Sequence, residues 1–260
     1  MTDTNHRELI LDQFTRQATV FSTAPAITDD DALRMIVEAA RPAPVDRLLD
    51  VACGPGLVVC AFAPHVQEAT GIDVTPAMLE RARKLAADKG LANVAWRQGD
   101  VSALPYVDGS FTIVTTRFSF HHFLDPAAVL QEMVRVCAPG GRIVVIDDYA
   151  SEDPAKAAAF NRLEKLRDPS HSRCLTLPEL KGLFGAASLG EPDATFYELR
   201  GDVQGLLARS FPNPGDDVKI IEMFRASAAD DRLGIPVRLD GDKIHYAYPV
   251  AILAVTRPAV

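Results

Sequence analysis

Three aspartates close successive apolar runs: Asp50 in "LLDVACGPGLV", Asp73 in "GIDV" and Asp100 in "RQGDV". Each stands where a short strand gives way to a turn, and ligands of open α/β sheets bind beyond the carboxyl ends of the strands. A carboxylate at the second position can accept hydrogen bonds from both hydroxyls of a ribose. One at the third can accept from an exocyclic amine such as that of adenine. Cys53-Gly54-Pro55-Gly56 follows the first acid. Two glycines around a proline suggest a tight turn that passes close beneath a ligand. Each acid also has a plainer use. Asp50 could brace the glycine turn, Asp73 could cap a helix starting near Thr75, and Asp100 could sit in a turn after Gly99. Their regular placement favours one shared crevice.

Further polar residues fall after the fourth apolar run. His121 and His122 could supply a base or orient a substrate oxygen, since imidazole titrates near neutrality; packing and helix capping are the plain alternatives. Arg117 could hold an acidic substrate or pair with an aspartate in the crevice. "DPSHSRC" offers His171, Arg173 and Cys174 on a polar loop, a common place for substrate contacts. The segment "LDQFTRQATVFSTAPAI" spaces Phe14, Ala18, Val20, Phe21 and Ile27 among polar residues. It reads as a packing helix or as a lid suited to a hydrophobic molecule.

The elements that must position these residues alternate. "RLLDVA", "VQEATGIDV", "VAWRQGD", "FTIVTTRFS" and "RIVVIDDY" read as strands. Between them lie the helical segments "GLVVCAFAP", "TPAMLERARKLAADKG" and "PAAVLQEMVRVCAPGG", the last stopped by Pro139-Gly140-Gly141. Residues 31–40 read as a helix ahead of this series. The order predicts an α/β, Rossmann-like doubly wound sheet. After Asp153 come helices at "PAKAAAFNRLEKLR", "TLPELKGLFGAA" and "DDVKIIEMFRASAADD", a strand at "ATFYELR", and two strands around Asp240-Gly241-Asp242. Residues 1–260 are expected to form one domain: an N-terminal cap over 1–44, a core over 45–150, and substrate-side elements that complete the sheet over 151–260.

Composition narrows the classes. The 260 residues are 48% apolar and 24% charged, with a formal charge of −8, which weighs against a broad nucleic-acid surface. "MTDTNHRELI" lacks the apolar run of an export signal and "YPVAILAV" is too short to span a bilayer, so a cytoplasmic protein without a membrane span is expected. Cys53, Cys60, Cys137 and Cys174 show no zinc-like spacing, so no metal site is expected. Gly54-Pro-Gly56-Leu-Val-Val59 lacks the third small residue of the dinucleotide fingerprint, which disfavours an NAD-dependent oxidoreductase.

With these residues assembled, the chain resembles a class I S-adenosylmethionine (SAM)-dependent methyltransferase. "DVACGPG", "GIDVTPAML", "GDVSALPYVDGSFTIV" and "APGGRIVV" carry the likeness over roughly residues 45–150. "RFSFHHF", "DDYASEDP" and "RDPSHSR" extend it toward the ubiquinone/menaquinone C-methyltransferase-like group. The resemblance implies a seven-stranded sheet whose last strand is antiparallel, with SAM as cofactor and S-adenosylhomocysteine (SAH) as product. It implies that backbone at Ala52, Gly54 and Gly56 faces the methionine moiety, with Asp50 near its amino group. Asp73 would hold the ribose, Val74 and Met78 would lie beside the adenine, and Asp100 and Val101 would recognise its edge. Thr116 and Phe118 would border the sulfonium. Catalytic roles fall to His121, His122 and Arg117, and substrate contacts to Phe14, Phe21, His171 and Arg173. The expected partner is a small acceptor, aromatic or hydrophobic, methylated on oxygen, carbon or nitrogen by a monomer or homodimer. Nucleic acid is disfavoured also because Thr115-Thr116-Arg117-Phe118 replaces the Asp/Asn-Pro-Pro-aromatic grip for a flipped base. The alternative is a SAM-binding protein of another kind, a sensor, scaffold, cyclase or lyase.

Overall fold

The computed structural model describes residues 3–21 and 24–259. In chain order the elements are α1 (Asp3–Phe21), α2 (Asp30–Ala40), β1 (Arg47–Val51), α3 (Leu57–Phe62), β2 (Glu68–Asp73), α4 (Pro76–Asp88), β3 (Val94–Gln98), β4 (Phe111–Arg117), α5 (Pro126–Val136) and β5 (Cys137–Asp148). There follow α6 (Pro154–Arg167), α7 (Leu177–Ala186), β6 (Asp193–Asp202), α8 (Val203–Ala208), α9 (Asp216–Asp230), β7 (Val237–Asp240) and β8 (Lys243–Thr256). None of the helices among the described residues is long and apolar enough to cross a membrane.

One sheet runs β3-β2-β1-β4-β5-β8-β6. β1 to β5 pair in parallel, and β8 runs antiparallel to both β5 and β6. An additional short strand, β7, forms a hairpin with β8 through the turn at Gly241. Because Tyr246 pairs with β6 and β7 at once, those two strands occupy opposite edges of β8. β7 therefore shares an edge with β5 and continues the sheet past the point where β5 ends, on the side of its carboxyl terminus.

Alternation along each central strand sends neighbouring side chains to opposite faces. Leu48, Ile113 and Val144 pack with Ile36, Phe62, Phe160 and Phe224 on one face. Leu49, Val114 and Val145 pack with Leu130, Met133 and Phe184 on the other. Caps set several helix starts. The Asp29 carboxylate accepts from the N–H groups of Asp31 and Ala32, and Thr176 and Glu179 form a reciprocal capping box.

The α5–β5 boundary departs from expectation. The helix stops at Val136, and Cys137 already pairs with Phe111 on β4. Pro139-Gly140-Gly141 forms an irregularity within β5 before pairing resumes at Arg142. A Cβ at Gly141 would lie 2.7 Å from Cys137 Sγ, so the folded-back chain admits no side chain there.

Candidate functional site

The turn after β1 combines three left-handed residues, Ala52 (φ 56°), Gly54 (φ 52°) and Gly56 (φ 81°). Its two glycines have different causes. A Cβ at Gly54 would meet nothing within 4 Å, so this backbone lies open to the adjoining cavity. At Gly56 a Cβ would lie 2.5 Å from the Trp96 ring and 2.8 Å from Ala82. Gly56 thus lets the turn close on β3 and α4, while Gly54, Pro55 and Leu57 on either side of it line the cavity.

The cavity beyond this turn encloses about 320 Å³. It gathers Asp50, Ala52, Gly54, Asp73, Val74, Met78, Asp100, Val101, Arg117, Phe118 and His122 from the ends of β1 to β4, with Phe14 and Phe21 from α1. The three acids share one crevice, each differently held. Asp50 does not brace the glycine turn; its carboxyl accepts from Thr115 Oγ1 (2.7 Å), a neighbour across β4. Asp73 is the brace, accepting from Gly54 N–H and Thr75 N–H, both at 2.8 Å. Asp100 closes a turn by accepting from Ser102 N–H (2.9 Å) and Oγ (2.7 Å), and Arg7 of α1 lies 3.5 Å from its other oxygen. Burial raises the Asp50 carboxyl to about 7, against the opposing pull of Thr115 and Arg117. Burial also raises Asp73, opposed by its backbone donors.

Thr116, expected at the sulfonium, points elsewhere. Successive strand residues face opposite sides, so Thr115 meets Asp50 while Thr116 is fully buried and lines neither cavity. Thr115 was not singled out in the sequence; its signal is its place directly across from Asp50.

A second, smaller chamber of about 60 Å³ adjoins the first. Phe14, Phe21, Ile27, Phe118 and His122 border both. Its far wall carries Leu199, Leu206, Tyr246 and Tyr248, none of them recognised from sequence. The polar groups there satisfy one another. Tyr248 donates to Glu164 (2.6 Å), Arg167 pairs with Glu164 (2.6 Å), and Arg209 donates to the Tyr246 hydroxyl (2.6 Å).

The two adjacent histidines part company. His122 Nδ1–H donates to the Ser170 carbonyl (3.1 Å), which leaves Nε2 as its lone-pair nitrogen. Burial, reinforced by the charge on His121, pushes His122 down to about 3, so its ring is neutral. His121 borders only the second chamber. Burial would lower it too, but Asp147 (2.6 Å) and Asp148 (3.0 Å) on Nδ1 outweigh that and hold it well above its ordinary value. The two rings lie 4.4 Å apart. Cys174 Sγ donates to Asp148 (3.0 Å), and ligating atoms of His121, Asp148 and Cys174 fall within 4.8 Å of one another. Hydrogen bonds within the group engage all three.

"DPSHSR" is not a surface loop. Asp168, Ser170 and His171 are buried, and His171 Nε2 meets Asn161 Oδ1 (2.9 Å). Arg173 is turned outward onto Glu179 (2.5 Å). Neither His171 nor Arg173, expected as substrate contacts, lines either cavity; the loop positions His122. Helix α1 closes over both chambers. His6 donates to the His122 carbonyl (2.6 Å), and Gln17 donates to Asp168 (3.0 Å).

An open glycine backbone beside carboxylates at the ends of β1, β2 and β3 fits a nucleoside joined to an amino acid. Comparisons with known proteins agree. Residues 49–145 match the family described as "Methyltransferase domain". An uncharacterized methyltransferase, YcgJ of Bacillus subtilis, is 32% identical over 243 residues, covering 92% of this chain and 96% of that protein. The crystal structure of YcgJ superposes with a TM-score of 0.80 at 30% identity, covering 88% of this chain and 98% of that one. The demethylmenaquinone methyltransferase of Thermus thermophilus is 41% identical over 117 residues, 44% of this chain and 52% of that protein. With its mixed sheet, its glycine turn and these relatives, the chain belongs to the SAM-dependent methyltransferases, enzymes of the Rossmann-like α/β class with SAM as cofactor.

Proposed function

We propose that this enzyme methylates a small aromatic or hydrophobic molecule held in the second chamber. The observation that carries this reading is the wall of Phe14, Phe21, Phe118, Tyr246 and Tyr248 around a chamber that adjoins the cofactor cavity. The quinone-type ring implied by the name of the Thermus relative is of this kind. Phe14 and Phe21 sit on α1, the helix that closes over both chambers.

SAM supplies an activated methyl group, which passes in line to the acceptor's electron pair while its sulfur keeps the bonding pair. The protein's part is to align the two molecules and to exclude water. Asp73 holds the ribose hydroxyls, and Asp50 faces the amino group. Val74 and Met78 flank the adenine, Asp100 and Val101 meet its edge, and Phe118 borders the transfer point. The histidines divide the remaining work, because neighbouring groups driven to opposite protonation states make an acid/base pair. Neutral His122 accepts a hydrogen bond from an acceptor hydroxyl and takes up its proton on Nε2 as the oxygen gains the methyl group. Charged His121 steadies negative charge on the acceptor.

Incubation with SAM and a panel of phenols, quinols and small acids, read out as SAH formation, tests the reading; failure of every aromatic acceptor would remove it. His122→Ala is expected to lower turnover by about 10²-fold or more while leaving SAM affinity within about twofold. Unchanged kinetics would take His122 out of the mechanism.

Asp50 gives a pH-dependent signature. Its folded pKa of about 7 stands above the ordinary 3.8, so between these values the folded protein keeps a proton that the unfolded chain releases. Stability from this group therefore falls as pH rises through that window. A ligand ammonium beside Asp50 favours the ionised form, so binding at pH 6 is expected to expel a proton. Calorimetric heats for SAH should then depend on the buffer's ionisation enthalpy, and Asp50→Asn should remove the dependence. Buffer-independent heats in the wild type would reject the pairing.

A further inference from the structure

Arg117 carries unmet bonding capacity in the lining of the cofactor cavity. Its Nη1 donates to the Ile27 carbonyl (2.9 Å), but Nε and Nη2 are buried without an acceptor. These two N–H groups share one edge of the guanidinium, the edge that grips a carboxylate with two parallel hydrogen bonds. Buried donors left unpaired are costly, and a native protein that retains them calls for an explanation.

The nearby acids are committed elsewhere: Asp50 to Thr115, and Asp147 and Asp148 to His121. The Tyr197 hydroxyl is the polar group nearest to pairing with Arg117: it feels the guanidinium through charge and a weak hydrogen bond, yet no well-formed hydrogen bond joins them and the hydroxyl is buried. The guanidinium carbon lies 4.6 Å from the centroid of the Phe118 ring. Phe118 has φ 55°, a conformation that a bulky residue adopts only under constraint. A strained aromatic thus lies against an unsatisfied fork, and both residues line the cofactor cavity.

We propose that Arg117 is a carboxylate anchor, engaging its ligand through Nε and Nη2 with the Tyr197 hydroxyl beside it, and that Phe118 shields the fork until the ligand arrives. The proposal rests on the assignment of this cavity to SAM and its acceptor. Two molecules could bring the carboxylate, the cofactor through its methionine end or the acceptor through an acid substituent. In both cases the ligand group is planar, carries one negative charge and offers two oxygens.

Calorimetry separates the sources. SAH and its decarboxylated counterpart are titrated into wild type, Arg117→Lys and Arg117→Met; benzoate and benzamide are titrated into the SAH-saturated proteins. Arg117→Lys keeps the charge but loses the fork. It is expected to weaken the carboxylate-bearing probe by about tenfold or more and to spare the carboxyl-free one. A loss confined to SAH assigns the anchor to the cofactor, and a loss confined to benzoate assigns it to the acceptor. Wild-type affinities in both variants, or equal losses for probes with and without the carboxyl group, overturn the proposal. A comparison on the wild type alone avoids any folding defect in the variants: equal affinity for SAH and its decarboxylated counterpart, with no uptake of benzoate, also overturns it. Should wild type bind neither adenosyl ligand, the assignment of the cavity itself fails, an outcome distinct from SAH bound alike by all three proteins.

Discussion

Gly56→Ala is expected to unfold about 5–15 °C below the wild type, the largest stability change predicted here for a single added methyl group. Two costs combine. At φ 81° any β-carbon meets left-handed backbone strain of about 1–2 kcal/mol. The new atom would also lie 2.5 Å from the Trp96 ring and 2.8 Å from Ala82, and such overpacking costs about 1–3 kcal/mol. Trp96→Leu in the same chain should restore part of the loss by vacating the contact. Gly54→Ala separates the two costs: nothing lies within 4 Å, so strain acts alone and the melting point moves less. Thermal unfolding of the three variants is the measurement. A melting point for Gly56→Ala equal to that of wild type would refute the packing argument.

Asp73→Ala is expected to weaken SAM by about 1–3 kcal/mol, roughly 5- to 150-fold. The carboxylate has two duties whose losses fall together. It is proposed to accept from the ribose hydroxyls, and it already ties Gly54 N–H to Thr75 N–H at 2.8 Å each. Removing it frees the glycine turn as well as the ribose. Asp73→Asn is not a mild replacement, because its NH₂ group must face one of those two N–H donors. Calorimetry on the folded variants reads the effect, and wild-type affinity in Asp73→Ala would remove Asp73 from the cofactor site.

Local periodicity made much of the fold legible. The short apolar run in "RLLDV" and the spacing in "PAKAAAFNRLEKLR" correspond to β1 and α6. The carboxyl ends of β1, β2 and β3 follow from such runs, which is why the shared crevice of Asp50, Asp73 and Asp100 is legible in the sequence. What escaped depends on distant contacts. Gly56 answers to Trp96 and Ala82, and nothing in "CGPG" reveals those neighbours. "DPSHSR" is polar enough to read as surface, yet Asp168 is buried because Ser170 and a glutamine 151 residues earlier in the chain, Gln17, satisfy it. The second chamber draws on α1, α6, β6, α8 and β8, a meeting that no local pattern encodes. Pro-Gly-Gly commonly ends helices and so reads as the stop of α5, whereas here it interrupts a strand.

β8 joins two territories of the molecule. From Val250 to Thr256 it pairs with β5 and so belongs to the sheet that carries the cofactor turn. Before that point, Tyr246 and Tyr248 lie on the stretch paired with β6, beyond the end of β5. The residues proposed to hold the donor and the far wall proposed to hold the acceptor thus hang from different spans of one continuous beam. Substitutions at positions 199, 246 and 248 can redraw that far wall with β1 to β4 left as they are. A lineage built on this plan can inherit its methyl donor unchanged while exchanging what it methylates, and an engineer can follow the same route.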